Sequence, residues 1–342
     1  MLTPPQSEAG RFTRTGKLTS ILGTAGIYVI IILLLLVGLG IRQLDYLSLA
    51  NLRSILQAVS LLGMCCAGLA FVVFSGNMND MSLPMTMALS GMMAIQLIPY
   101  GIVVSVLGGI VAGTLVGVIN GIMIGKFRAH PIIWTLAFNL VLSGLVRAAW
   151  GGSQIYPDTI AGQNETAQAT AETFNLFART YYFDGALPLM VVVMFIMFVL
   201  AQVIFSRTTF GNKLRIVGSQ YEVARMSGIN TERMVMTAFV LCSLCASVAG
   251  IFYASLTKIG AYSNGEGYDF RALTAVLLGG MTLAGGKGTM VGVFGGVLVL
   301  GMLTNIMTLI GVPTFNQYVV QGVVFLFIVW LNNYLEEKRG HA

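Results

Sequence analysis

The chain has 342 residues, 56% hydrophobic and only 9% charged, against about 25% charged in ordinary soluble domains. Runs of about 20 apolar residues, the length an α-helix needs to cross a bilayer, recur along its whole length. That excludes a soluble domain. It also removes the usual meaning of a net charge of +6: in a soluble protein it would point to nucleic acid, whereas here it anchors loops at a membrane surface.

Residues 1 to 17 are polar and carry Arg11, Arg14 and Lys17, ahead of an apolar run from Ile21 to Ile41. The run is too long for a signal-peptide core and no small-residue cleavage site follows it, so it reads as a retained first span behind a cytosolic tail of residues 1–20. Further spans fit Ile55–Phe74, Pro84–Pro99, Ile102–Gly125, Ile132–Trp150, Leu187–Phe205, Met234–Leu256, Ala272–Ala284, Val291–Ile310 and Tyr318–Tyr334. The expected fold class is an all-α membrane protein of about ten transmembrane helices over residues 21–334, the third and eighth short, with a cytosolic tail at 335–342. If all ten cross, 13 of the 19 Lys and Arg fall on one side. The other six are Arg42, Arg53, Arg147, Arg179, Lys258 and Arg271. The richer side is then the cytosol, and both termini lie there.

Between the second and third spans, Ser75 to Met85 reads SGNMNDMSLPM. Gly76 and Pro84 interrupt helices, and Asp80 at membrane depth would have to face a bundle interior or water. Two readings follow: a broken element lining a path for a polar solute, or a short cytosolic loop with a solvated Asp. In the fourth span, Gly109, Gly113, Gly117, Gly121 and Gly125 fall every four residues, a groove for close helix packing. Asn120, Asn139 and Asn305 lie within spans, where amides bond helix to helix.

The outer loop, residues 151–186, is acidic (Asp158, Glu165, Glu172, Asp184) and suits either solvent or a soluble partner. Its Asn164-Glu165-Thr166 matches a glycosylation sequon, a short pattern of little weight. All four cysteines, Cys65, Cys66, Cys242 and Cys245, sit in apolar runs. Without nearby His they read as packing residues, not a metal or redox site.

Residues 207–233 form the longest charged segment assigned to the cytosol, RTTFGNKLRIVGSQYEVARMSGINTER. Ser219 and Glu222 have capping-box spacing, and Gly228 suits a left-handed stop. They predict a short helix, Gln220 to Ser227, lying across the end of the bundle and available to a partner. Further on, Gly285-Gly286-Lys287-Gly288-Thr289 fails the phosphate-loop pattern: Met281 holds the first glycine position and Gly288 follows the lysine. Those glycines read as a tight turn at the cytosolic face. Two histidines, His130 and His341, make no nucleophilic set. No catalytic residue, cofactor or metal site is predicted.

From Arg207 to about Trp330 the chain resembles the permease subunits of bacterial ABC importers of the ribose, xylose, galactose and autoinducer-2 type. The matching blocks are Thr209-Phe210-Gly211, Ala224-Arg225-x-Ser227-Gly228-Ile229-Asn230, Gly267-Tyr268, Ala275-Val276-Leu277-Leu278-Gly279-Gly280 and Leu283-Ala284-Gly285-Gly286-Lys287-Gly288. The first half matches through its span architecture, Asn120-Gly121 and the Asp80 region. The resemblance implies an inner-membrane subunit that performs no covalent chemistry and moves a sugar or sugar-like solute by alternating access. It implies two cytosolic ATPase subunits, a periplasmic or lipid-anchored sugar-binding protein, and a homodimer or a heterodimer with a sister permease. Gly211, Gly218, Glu222, Ala224, Arg225 and Gly228 carry over as coupling residues; Asp80, Ser82 and Asn120 are the solute-path candidates. The family's glycine-rich block after the second span is here one residue longer, with Pro84 in place of Gly. The alternatives are a permease for branched-chain amino acids or nucleosides, and a stand-alone secondary transporter or channel.

Overall fold

The computed structural model describes residues 27–40, 46, 48–182 and 187–340. The predicted N-terminal tail with Arg11, Arg14 and Lys17 lies outside the described residues, as does Asp184.

Helices dominate. In chain order they are α1 (Ile27–Gly40), α2 (Leu49–Phe74), α3 (Leu83–Gln96), α4 (Ile102–Gly121), α5 (Pro131–Ala149), α6 (Pro157–Ala161), α7 (Glu165–Phe177), α8 (Leu189–Arg207), α9 (Thr209–Ser219), α10 (Tyr221–Met226), α11 (Thr231–Thr257), α12 (Tyr268–Leu278), α13 (Met290–Leu309) and α14 (Thr314–Gly340). Among the described residues, six helices are long and apolar enough to cross a bilayer: α2, α4 (extended to Lys126 by a wide π turn), α5, α8, α11 and α13. Ile27–Gly40 and Thr314–Trp330 are shorter apolar stretches.

α2 is buried along most of its length and α11 along much of its own; α5 exposes most of its surface, as a lipid-facing helix would. The α4 glycine groove holds α11. A Cβ on Gly117 would come within 2.7 Å of the Phe239 carbonyl, and one on Gly121 within 2.8 Å of Met236 Cα. Small residues let two backbones meet where lipid offers no hydrophobic drive. The cysteines are buried, with Cys242 and Cys245 packed against Gly68 of α2. Asn51 and Asn305 exchange amide hydrogen bonds, 3.2 and 2.8 Å, between α2 and α13.

The segment expected as an outer loop carries α6 and α7, followed by a two-residue antiparallel pairing, Tyr181–Tyr182 with Leu187–Pro188. Asn164 of the sequon caps α7, accepting from the Ala167 N–H at 2.6 Å. One span is shifted: Ala272–Ala284 was expected, whereas α12 ends at Leu278. Gly279 caps it and Gly280 adopts φ +83, so the chain leaves the helix at the glycine pair.

Candidate functional site

Residues 207–233 fold as two helices and a turn, not as one short helix alone. Thr208 caps α9, its Oγ1 accepting from the Gly211 N–H at 3.3 Å. Ser219 does not form the expected capping box. It is the last residue of α9, and its hydroxyl donates back to the Arg215 carbonyl at 2.9 Å. Gln220 is the N-cap of α10 and makes no side-chain cap bond. The capping spacing was overridden because α9 runs up to Ser219 and spends its hydroxyl on its own preceding turn. The helix stop is as expected, with Gly228 at φ +75.

The six coupling candidates divide by the way they face. Gly211, Gly218 and Ala224 are buried, while Glu222, Arg225 and Gly228 are exposed. Ala224 anchors α10. Around it, Val223 is 47% exposed and Met226 86% exposed, a large apolar tip that no other part of the chain covers among the described residues. Behind α10, the Arg128 guanidinium lies 5.5 Å from the Tyr221 ring centroid, and Thr231 Oγ1 is 3.0 Å from the Tyr221 hydroxyl.

Gly218 is buried for a different reason. A Cβ there would strike the Phe74 carbonyl and come within 2.7 Å of the Gly286 nitrogen. A Cβ on Gly285, itself at φ +82, would lie 2.6 Å from the backbone of Gly76. The ends of α2 and α9 and the glycine turn before α13 therefore meet backbone to backbone, a contact only glycine permits.

The solute-path candidates Asp80, Ser82 and Asn120 are brought together, each with essentially no exposure. This removes the reading of Asp80 as a solvated loop residue. Asp80 Oδ1 accepts from the Ser82 N–H at 3.0 Å and from its hydroxyl at 2.6 Å, an Asx turn that starts α3. Asn120 Nδ2 donates to Ser82 Oγ at 2.7 Å and lies 3.4 Å from Asp80 Oδ1. Asp80 Oδ2 is buried without a partner. Two residues missed in the sequence complete the cluster: Trp134 Nε1 donates to Asn120 Oδ1 at 3.1 Å, and Thr135 Oγ1 accepts from the Met81 N–H at 3.0 Å. Both are polar groups in the apolar α5, the one signal that could have marked them.

Asn139, the third intramembrane amide, has a buried Oδ1 with no partner. No group of three or more metal-ligating side chains exists among the described residues.

A family model described as the permease component of branched-chain amino acid transport systems matches residues 51–329. The chain is 32% identical over 329 residues to the ribose import permease protein RbsC of Bacillus subtilis (strain 168), covering 96% of this chain and 97% of that one. It is 29% identical over 326 residues to the L-arabinose ABC transporter permease protein AraH of Azospirillum brasilense, covering 95% and 91%. Over 128 residues, 37% of this chain and 33% of the other, it is 37% identical to the xylose transport system permease protein XylH of Escherichia coli (strain K12). No solved structure matches significantly. With the family match spanning most of the chain and the ribose permease aligned nearly end to end, this multi-pass membrane protein belongs to the permease-component family of ABC import systems.

Proposed function

We propose that this chain is the membrane-spanning subunit of a sugar importer, moving a sugar or sugar-like solute by alternating access while partner subunits hydrolyse ATP. The family description names branched-chain amino acids, whereas the relatives similar over nearly the whole chain are named for ribose and arabinose. The end-to-end likeness favours sugar. The ten apolar helices α1–α5, α8 and α11–α14 form the membrane body, with both termini and α10 at the cytosolic face of the inner membrane and residues 151–186 at the outer face.

The observation that carries the coupling role is the exposed tip of α10. Met226 and Val223 project beside Arg225 and Glu222 from a helix held at its base by Ala224. Apolar side chains ringed by charges suit a groove on an ATPase. Movement of α10 would pass through α9 to Gly218 and so to the end of α2 and the Asp80 segment. Asp80, Ser82 and Asn120 are proposed as the wall against which the path opens; the unpartnered Asp80 Oδ2 supports that role. Partners are two ATPase subunits, a periplasmic or lipid-anchored sugar-binding protein, and a second copy or a sister permease.

Affinity purification of the tagged chain from native membranes tests this. It is expected to bring down an ATPase and a binding protein that is titrated by sugars. A binding protein that responds to leucine and not to sugars would transfer the assignment to amino acids.

A further inference from the structure

α12 has 11 residues, about 16 Å at 1.5 Å per residue, roughly half of a ~30 Å hydrocarbon core. Contacts place its start deep in the bundle: a Cβ on Gly265 would lie 2.8 Å from the Pro84 carbonyl and 3.0 Å from Met87. Cys66 Sγ lies 3.6 Å from the Ala272 carbonyl, two-thirds of the way along α2. The other short helix, α3, also follows a non-helical segment and touches α12. In secondary transporters, paired interrupted helices of this kind lie where the solute is held, and α3 and α12 give this chain a similar pair of short helices in contact.

At that level Arg271 projects from α12 into a cleft of about 240 Å³ between α12, α13 and α14, with an adjoining pocket of about 70 Å³ toward α2. The larger is below the ~300–1,000 Å³ of drug-sized sites and suits one small molecule. The Arg271 guanidinium lies 4.9 Å from the Tyr318 ring centroid and 5.9 Å from that of Tyr268. No carboxylate pairs with it among the described residues. Gln321 lines both spaces and donates to Thr304 Oγ1 at 3.3 Å. Two polar atoms here are buried and unpartnered: Arg271 Nε, a donor, and Gln321 Oε1, an acceptor.

We infer that this cleft is a mid-membrane solute site, in which hydroxyls of a neutral, monosaccharide-sized solute accept from Arg271 Nε and donate to Gln321 Oε1 beside the Tyr318 ring. A hydroxyl satisfies both orphan groups, whereas a carboxylate would leave the glutamine oxygen unmet. The faces of Tyr318 and Tyr268 attract the guanidinium, and the glutamine oxygen selects for a ligand that can donate. The inference rests on the sugar-importer reading.

The test uses the importer as it co-purifies from native membranes, reconstituted in vesicles and assayed with radiolabelled D-ribose, L-arabinose and D-xylose. Gln321→Leu is expected to lower uptake about tenfold, the worth of one buried hydrogen bond. ATP hydrolysis stimulated by the binding protein should stay near the unmodified level. Gln321→Glu sets a carboxylate beside Arg271 that occupies its free donor, so uptake should fall with this variant too. Sugar uptake indifferent to Gln321→Leu, or uptake and ATP hydrolysis lost together in both variants, would overturn the site and leave the importer reading standing. Uptake of leucine and of none of the three sugars by the unmodified complex would overturn the importer's sugar assignment, and the hydroxyl ligand with it.

Discussion

The backbone N–H of Gly286 donates to the carbonyl of Phe74 at 2.9 Å, joining the turn that precedes α13 to the end of α2 across more than 200 residues of sequence. Gly218, at the end of α9, sits against both groups. One side of this junction leads to the exposed α10, the other to the Asp80 segment. Under the proposed coupling role, displacement of α10 would reach the bundle through this junction.

Gly218→Val puts side-chain carbon where the Phe74 carbonyl and the Gly286 nitrogen now lie. Overpacking of this kind costs about 1–3 kcal/mol. The expected result is a lower melting temperature of the detergent-solubilised chain and transport lost out of proportion to ATP hydrolysis. A variant with unchanged melting and transport would show that the junction yields freely.

Arg225→Glu reverses an exposed charge, and Met226→Asp removes the apolar tip of α10. Neither residue supports the fold, so both variants should reach the membrane in normal amounts. Each is expected to weaken co-purification of the ATPase, Met226→Asp by about tenfold or more if the tip fills a partner pocket. Quantitative pull-down of tagged complexes reads the effect, and undiminished recovery would remove α10 from the contact.

Asp80→Ala strips the acceptor shared by the Ser82 amide and hydroxyl. Buried donors left unmet cost about 1–3 kcal/mol. Asp80→Asn keeps the accepting oxygen and should cost less than about 1 kcal/mol on the same grounds. Thermal melting of the two variants should rank alanine well below asparagine, and equal melting would mean that the Asx turn does not organise the start of α3.

The Asn51–Asn305 pair invites a double-mutant cycle. Asn51→Leu or Asn305→Leu alone leaves an amide without its partner, about 1–3 kcal/mol, whereas the double variant removes both polar groups together. Melting should show the double variant less damaged than the two single effects added. Simple additivity would mean that the two amides act independently, against an average of about 0.6 kcal/mol for such intramembrane bonds.

Much was legible in one dimension because it depends on neighbours in sequence. The apolar runs, the α4 glycine groove and the Gly228 stop are set by helical period, bilayer thickness and backbone freedom. Chain order alone carried the segment from Arg207 to Arg233 and its likeness to known permeases. Local spacing failed at Ser219, where the same hydroxyl could cap α10 or bond back to Arg215, and the continuation of α9 decided between them.

By itself, then, the sequence determined a polytopic helical membrane protein with an exposed charged segment, since burial in lipid leaves a helix few alternatives. Only the tertiary structure decided which polar groups meet. Asp80 finds Asn120, Phe74 finds Gly286, and Arg271 shares a cleft with Gln321, each pair separated by 40 residues or more. Such meetings depend on the crossing of packed helices, and helical period carries no information about which distant face a side chain will encounter.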